Sequence, residues 1–256
     1  MERLPLIFDS HSHYDDERYE GLLESLLPEM ERQKVGGILT CGTDISSSKK
    51  CIEIAEKFDF VWAAVGYHPT CIDAETQFDA KTFEEFIKHP KVKVIGEIGL
   101  DYYWDTSLKA KQLELFDAQL AFANLHNLPV SVHDREAHQD TFDLLKKHNP
   151  QGVVHCYSGS YEMAKELLKL GLYIGVGGVL TFKNAKKTVE VIKEIPIEKL
   201  LIETDAPYLT PEPYRSKINN SAYLIFVAKK IAEIKDLSVE EVLSTTYKNA
   251  FDLFQI

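Results

Sequence analysis

Six side chains able to hold a divalent cation stand where apolar runs end: His11 and His13 after LPLIFDS, Glu97 after VKVIG, His133 after PVSV, His155 after GVV and Asp205 after KLLIET. Imidazoles and carboxylates delivered by separate segments to one place are what metal-dependent hydrolysis requires, because water on a divalent ion becomes a nucleophile near neutral pH. Taken singly, each residue has an ordinary role. A His-x-His pair can be a hydrogen-bonded turn, His133 and His155 can be satisfied core histidines, Glu97 a solvated loop acid and Asp205 a turn cap before Ala-Pro. Their conjunction at the ends of five different runs is what predicts an enzyme. Glu97 adds a constraint of its own, because a carboxylate flanked by Val94, Ile95, Gly96, Ile98, Gly99 and Leu100 needs a partner.

The elements that must deliver these groups read as parallel βαβ units. Candidate strands are Leu4 to Asp9, Gly37 to Cys41, Val61 to Gly66, Val92 to Ile98, Pro129 to His133, Gly152 to His155, Leu172 to Val176 and Lys199 to Glu203, most of them apolar throughout, as strands covered on both faces are. Helical spacing between them is clearest over Ser107 to His126, where Leu113, Phe116, Leu120 and Ala123 recur and Ser107 is the expected N-cap. Asn220 to Ile234 and Ser238 to Phe254 read as two further helices beyond the eighth strand. Eight such units predict a TIM-type (β/α)8 barrel of the metal-dependent hydrolase type. The 256 residues fill one domain of this kind, 1–256, with no repeat or linker to divide it. In such a barrel the active groups gather at the C-terminal ends of the strands, where all six candidates fall. His11 and His13 point the same way if Ser12 stays extended.

Composition narrows the partners. With 40 acidic against 29 basic side chains the formal charge is −11, so a nucleic-acid ligand needs a local basic pocket rather than a long-range field. Cys41, Cys51, Cys71 and Cys156 form no Cys-x-x-Cys pair, which predicts buried, inert thiols and a reducing compartment. The lack of a leader pattern or an apolar run of membrane length makes the cytoplasm the default location, with no membrane partner. A second layer of residues bears on substrate. Arg135 and His68 are placed to hydrogen-bond phosphate oxygens, Arg215 and Lys217 can add cationic contacts, and Tyr102, Tyr103 and Trp104 can stack on bases or pack over the mouth. Gly175, Gly177 and Gly178 read as a site of close backbone packing. Cys156, adjacent to His155 on a strand, is expected to face away from it.

The motifs FDSHSHYD (8–15), VGYHP (65–69), IGEIGLDYY (95–103), PVSVHDREA (129–137), HCYSG (155–159) and IETDAPYL (202–209) span nearly the whole chain. Together they make it closely resemble the TatD-related metal-dependent deoxyribonucleases, a branch of the amidohydrolase-like barrels. The resemblance implies one ion on His11, His13 and Asp205, a bridge through Glu97, and a second ion completed by His133 and His155. It also implies removal of nucleotides from a DNA 3′ end. Two positions depart from the family pattern: Thr70 stands where a second histidine often follows His-Pro, and Asn220-Ser221 stand where Glu-Pro is usual. Both are expected at the substrate rim.

On this reading the cofactors are two divalent ions, Zn²⁺, Mn²⁺ or Mg²⁺, with imidazole ligands favouring the first two. Glu97 and Asp205 are the catalytic carboxylates, Asp205 accepting the proton of the attacking water. The partners are DNA ends, single-stranded, and the chain is expected to be a monomer. Two other classes stay open. The same ions would polarise the carbonyl of an amide or carboxylic ester, on a small molecule or an aminoacyl-tRNA, equally well. A barrel with structural ions could instead serve as a binding module.

Overall fold

The structure, a computed structural model, describes residues 6–104 and 106–256. Strands β1 (Ile7–Ser12), β2 (Val35–Cys41), β3 (Val61–Val65), β4 (Val92–Asp101), β5 (Val130–Arg135), β6 (Gly152–Val154), β7 (Tyr173–Val176) and β8 (Leu200–Ile202) lie side by side in chain order, every neighbour parallel. β1 and β8 close the ring. Ser12 bridges to Ala206, the Asp205 N–H donates to the His11 carbonyl at 3.0 Å, and the His13 N–H donates to the Ala206 carbonyl at 2.7 Å. Outside run α1 (Leu23–Arg32), α2 (Ile45–Lys57), α3 (Ala80–Phe86), α4 (Lys109–Leu125), α5 (His138–His148), α6 (Tyr161–Lys169) and α7 (Lys186–Glu194), followed by α8 (Leu224–Lys235) and α9 (Val239–Phe254). This is the expected (β/α)8 barrel.

Local chemistry explains the helix starts. Asp44, Ser160 and Ser238 each accept a hydrogen bond from the backbone N–H three residues on, satisfying one of the orphan donors of a first turn. Ser107 does not hold the expected capping position, because α4 begins at Lys109 with Leu108 as its flanking residue. The helix expected from Asn220 is divided into a single turn, Ser221–Tyr223, and α8. Leu4, where the first strand was expected to begin, lies outside the described residues. That strand runs later than expected, through Ser12, so His11 belongs to it.

Two cores support the mouth. One lies between sheet and helices, and the other fills the bottom of the ring with Phe8, Leu39, Cys41, Ala64, Val94, Val153 and Leu201, closed by Leu253 and Phe254 of α9. The second core exposes a problem of parity. Phe8 and Val94 are even-numbered interior residues, whereas His11 and Glu97, higher on the same strands, and His13, just past β1, are odd-numbered and also face inward. The registers give the answer: Asp9 and Ser12 on β1 oppose Ile38 and Thr40 on β2, and Ile95 and Ile98 on β4 oppose Val130 and Val132 on β5. Each span carries one extra residue, and each such bulge turns the strand so that its metal-type side chain points into the barrel.

Candidate metal centre at the barrel mouth

Glu97, at 3% exposure, is the hub of the site. Its Oε2 lies 3.3 Å from His11 Nε2 and 3.4 Å from His13 Nε2, while its Oε1 lies 2.8 Å from His133 Nδ1, 2.7 Å from His155 Nε2 and 3.3 Å from His68 Nε2. Asp205 Oδ1 is 3.4 Å from His13 Nε2. The structure therefore brings all six sequence-derived candidates into one basin, and His68 joins them. Donor atoms of His11, His13 and Asp205 lie within 4.8 Å of one another, as do those of His11, Glu97 and His155 and those of His68, Glu97 and His133.

The outer edge of each ring decides what its inner edge offers. His13 Nδ1 sits 2.9 Å from the Cys41 carbonyl and His133 Nε2 sits 3.0 Å from Asp101 Oδ2. Both partners are acceptors, so these nitrogens carry the proton, and in the neutral ring the opposite nitrogen turns a lone pair toward Glu97. His11 Nδ1 is held by Ser131 Oγ at 2.9 Å. Lone pairs facing carboxylate oxygens set acceptor against acceptor, and a cation is what resolves that. Protons on every ring are a poor substitute, because the His11 and His155 rings stack at 3.8 Å, and burial followed by the charge of His155 drives the His11 pKa down. Buried His155 Nδ1 and Glu203 Oε2 have no hydrogen-bond partner, a further sign of a basin organised around charge it does not itself supply. The donor set fits divalent ions.

Electrostatics point the same way. Burial alone would raise the Glu97 carboxyl, but His68, His155 and His11 outweigh it and hold the pKa well below the usual range. Burial opposes ionisation of Asp205 too, yet the His13 hydrogen bond and the surrounding imidazoles bring it down to about 2. His13 and His155 rise well above an ordinary histidine despite burial, through Asp205 and Glu97 for the first and through Glu97 and Glu203 for the second. His68 stands apart. Its Nδ1 accepts the Thr70 N–H at 3.1 Å and meets Thr70 Oγ1 at 2.8 Å, which leaves Nε2 as a donor aimed into the basin.

A family model described as TatD related DNase matches residues 8–255. The chain belongs to the TatD family. It is 43% identical over 254 residues to a Bacillus subtilis protein, YabD, described as an uncharacterized metal-dependent hydrolase, covering 98% of this chain and all of that one. Among solved structures, the TatD homologue YjjV of Escherichia coli superposes with a TM-score of 0.92 at 30% identity, covering 98% of each chain. A TatD family hydrolase from Entamoeba histolytica superposes at 0.86 with 26% identity, covering 98% of this chain and 99% of the other.

Within this TatD barrel the mouth opens into a cavity of about 700 Å³ lined by His13, His68, Glu97, His133, His155, Asp205 and the loops around them. Arg135, on the same side of β5 as His133, lines it as well; Arg215 and Lys217 do not. Arg215 lies 3.7 Å over the Phe182 ring and Lys217 5.0 Å from Tyr214. Tyr102 packs down with its hydroxyl on Asp140 at 2.8 Å, while Tyr103 and Trp104 stay exposed. Ser221 corrects the expectation of a rim position: it is fully buried, 2.6 Å from Asp9 Oδ2 and 2.7 Å from the Tyr14 hydroxyl, beneath β1. Two thiols also differ from expectation. Cys71 is exposed, and its setting beside His68 lowers its pKa; Cys156 follows the end of β6 at φ 45° and lines the cavity instead of facing away, with burial raising its thiol well above the usual value.

Sequence reading missed Asp101, Ser131 and Glu203, the groups behind the rings. Glu203 is fully buried below His155 and takes the Cys156 N–H, and a Cβ at Gly175 would collide with its carboxylate, so the glycine expected to permit close packing makes room for it. Gly99, at φ 147°, likewise lets β4 lie against the His133 carbonyl. The signal available was an acidic residue ending an apolar run in each of IGLD and LLIE.

Proposed function

We propose that this member of the TatD family of metal-dependent hydrolases cleaves phosphodiester bonds at single-stranded DNA ends, releasing nucleotides from the 3′ end, with two divalent ions held in the basin. The observation that carries the reading is the division of labour within Glu97: one carboxylate oxygen faces His11 and His13, the other His133 and His155, the disposition of a group shared between two cations. His11, His13 and Asp205 would hold one ion and His133 and His155 the other, with Glu97 common to both. Such ions, whether Zn²⁺, Mn²⁺ or Mg²⁺, lower the pKa of water and stabilise charge growing on phosphoryl oxygens.

The chain's own groups supply the rest. Asp205 stays ionised and lines the cavity, with Oδ1 toward His13 and no hydrogen bond to Oδ2 among the described residues, which suits it to take a proton from attacking water. His68 offers Nε2–H to a phosphate oxygen or leaving group, and the Arg135 guanidinium can pair with phosphate across two oxygens. Asp101, Ser131 and the Cys41 carbonyl keep the His133, His11 and His13 rings from turning, and the Glu203 carboxylate lies 3.6 Å from His155 Nδ1.

Elemental analysis of the purified protein, paired with degradation of 3′-labelled single-stranded DNA before and after chelation, tests this reading. The expected result is bound metal, loss of mononucleotide release on chelation and its return with one of the three ions. Hydrolysis that survives complete chelation, or cleavage of carboxylic esters with DNA left intact, would remove it.

A further inference from the structure

The mouth carries an aromatic group that metal chemistry does not use. Trp104 is 69% exposed and Tyr103 50%, on the loop that leaves β4, the strand of Glu97. Large apolar rings are costly to leave in water unless something covers them in use. Of the other strongly exposed apolar residues among those described, Leu6, Leu22, Leu125, Ile218 and Phe251 do not border the cavity; Trp104 does, as does Tyr208, whose ring already carries the Arg18 guanidinium at 4.2 Å.

These rings are also held in place. Asp101 accepts the Tyr103 N–H at 2.9 Å and the Trp104 N–H at 3.3 Å through Oδ1, and His133 Nε2 at 3.0 Å through Oδ2. Gln112 of α4 pins the Asp101 backbone from both sides, donating to its carbonyl at 3.0 Å and accepting its N–H at 2.9 Å. The loop is thereby tied to a side chain of the metal basin through a single carboxylate. Tyr103 and Trp104 meet edge to face at 4.9 Å, and the Arg135 guanidinium lies 3.8 Å over the first ring and 5.2 Å from the second. No described carboxylate lies within ion-pair distance of Arg135. A flat exposed ring, a cation with no counter-ion among the described residues and a tie through Asp101 to the basin match one ligand chemistry, a base joined to a phosphate.

We infer that Trp104 and Tyr103 form a stacking subsite for a nucleobase adjoining the scissile phosphate, with Arg135 on that nucleotide's phosphate. The inference rests on the nuclease reading and adds to it a reason for choosing nucleotides over other phosphodiesters. Every base presents a π-face, so the subsite is tolerant of sequence and selects for the presence of a base rather than its identity.

The test compares a short single-stranded DNA with the same strand carrying an abasic tetrahydrofuran 3′ residue, using wild-type, Trp104→Ala and Tyr103→Ala proteins loaded with the supporting ion. Stacking on an aromatic ring is worth about 5- to 150-fold per base, so wild-type kcat/KM should favour the base-bearing strand by at least about 5-fold. Trp104→Ala should bring the ratio close to one, and Tyr103→Ala should reduce it. Binding is read separately on chelated protein. The chain has two tryptophans, and Trp62 stacks on Phe8 at the far end of the ring, so quenching by the base-bearing strand that disappears in Trp104→Ala reports the subsite alone. Equal kcat/KM for the two strands, or equal quenching by them, overturns the inference. If no strand is cleaved under any ion but base-dependent quenching is seen, the nuclease reading falls and the stacking surface stands.

Discussion

Two cation–aromatic pairs face each other across the mouth, and they are built differently. After β1 and β8, Arg18 lies 4.2 Å over the Tyr208 ring while its guanidinium is taken up by both oxygens of Asp16 at 2.8 Å, and that pair lowers the Asp16 carboxyl to about 2. After β4 and β5, half a turn around the ring, Arg135 rests on Tyr103 and Trp104 with no described counter-ion. The first side is electrically closed, a brace for the loop that carries Asp205. On the second, no described carboxylate takes up the Arg135 charge, which on the proposed reading is kept for a ligand. On the proposed reading similar residues serve structure on one side and recognition on the other, and among the described residues the difference lies in a single neighbouring carboxylate.

The sharpest way to break this contrast is to remove one carboxylate from each side. Asp205→Asn should cost about 10²–10⁴-fold in kcat, the range of a lost general base, with metal still present by elemental analysis. Near-normal turnover would take Asp205 out of proton transfer. Asp101→Asn stands behind a ring and not at the reacting atoms, so about 10–100-fold should be lost, chiefly as metal affinity, and excess ion should recover it. An Asp101 defect that no ion concentration repairs would mean that the two sides do not divide in this way.

Next come the cations. Arg135→Ala removes charge-assisted bonds of ~1.5–3 kcal/mol, about a 10- to 150-fold fall in kcat/KM on DNA. Arg18→Ala disturbs only a surface ion pair worth ~0–1 kcal/mol and should change kcat/KM less than about 5-fold. Equal losses would abolish the comparison. The smallest effect is in salt. The slope of log kcat/KM against log salt should shrink by about 0.7 in Arg135→Ala, one single-strand phosphate contact, and stay put in Arg18→Ala.

How much of this was legible beforehand follows from what each signal depends on. The barrel and the six ring and carboxylate groups could be read because a parallel strand is an unbroken apolar run, and a polar residue at its end is conspicuous. Glu97, set among valine, isoleucine and glycine, shows the principle best. Asp101 and Glu203 lay in equally apolar company but were hidden by what they touch: their partners, His133 and His155, are 32 and 48 residues away. The burial of Ser221 depended on Tyr14 and Asp9, more than 200 residues upstream. Arg135 could be singled out by its place two residues past His133, but its want of a described counter-ion could not, since Arg18 and Arg135 each have an acidic residue close by, Asp16 and Asp134. The structure shows that Asp134 turns instead to His138 at 2.7 Å.

The single extra residues in β1 and β4 carry a lesson for anyone transplanting this centre. A perfectly regular ring that keeps the greasy plug of Phe8 and Val94 at its base would swing His11 and Glu97 out into the helical jacket. The irregularity is what lets one strand serve as a hydrophobic stopper low down and as an ion cradle higher up. A scaffold lacking these two kinks would inherit all the right letters and assemble no centre.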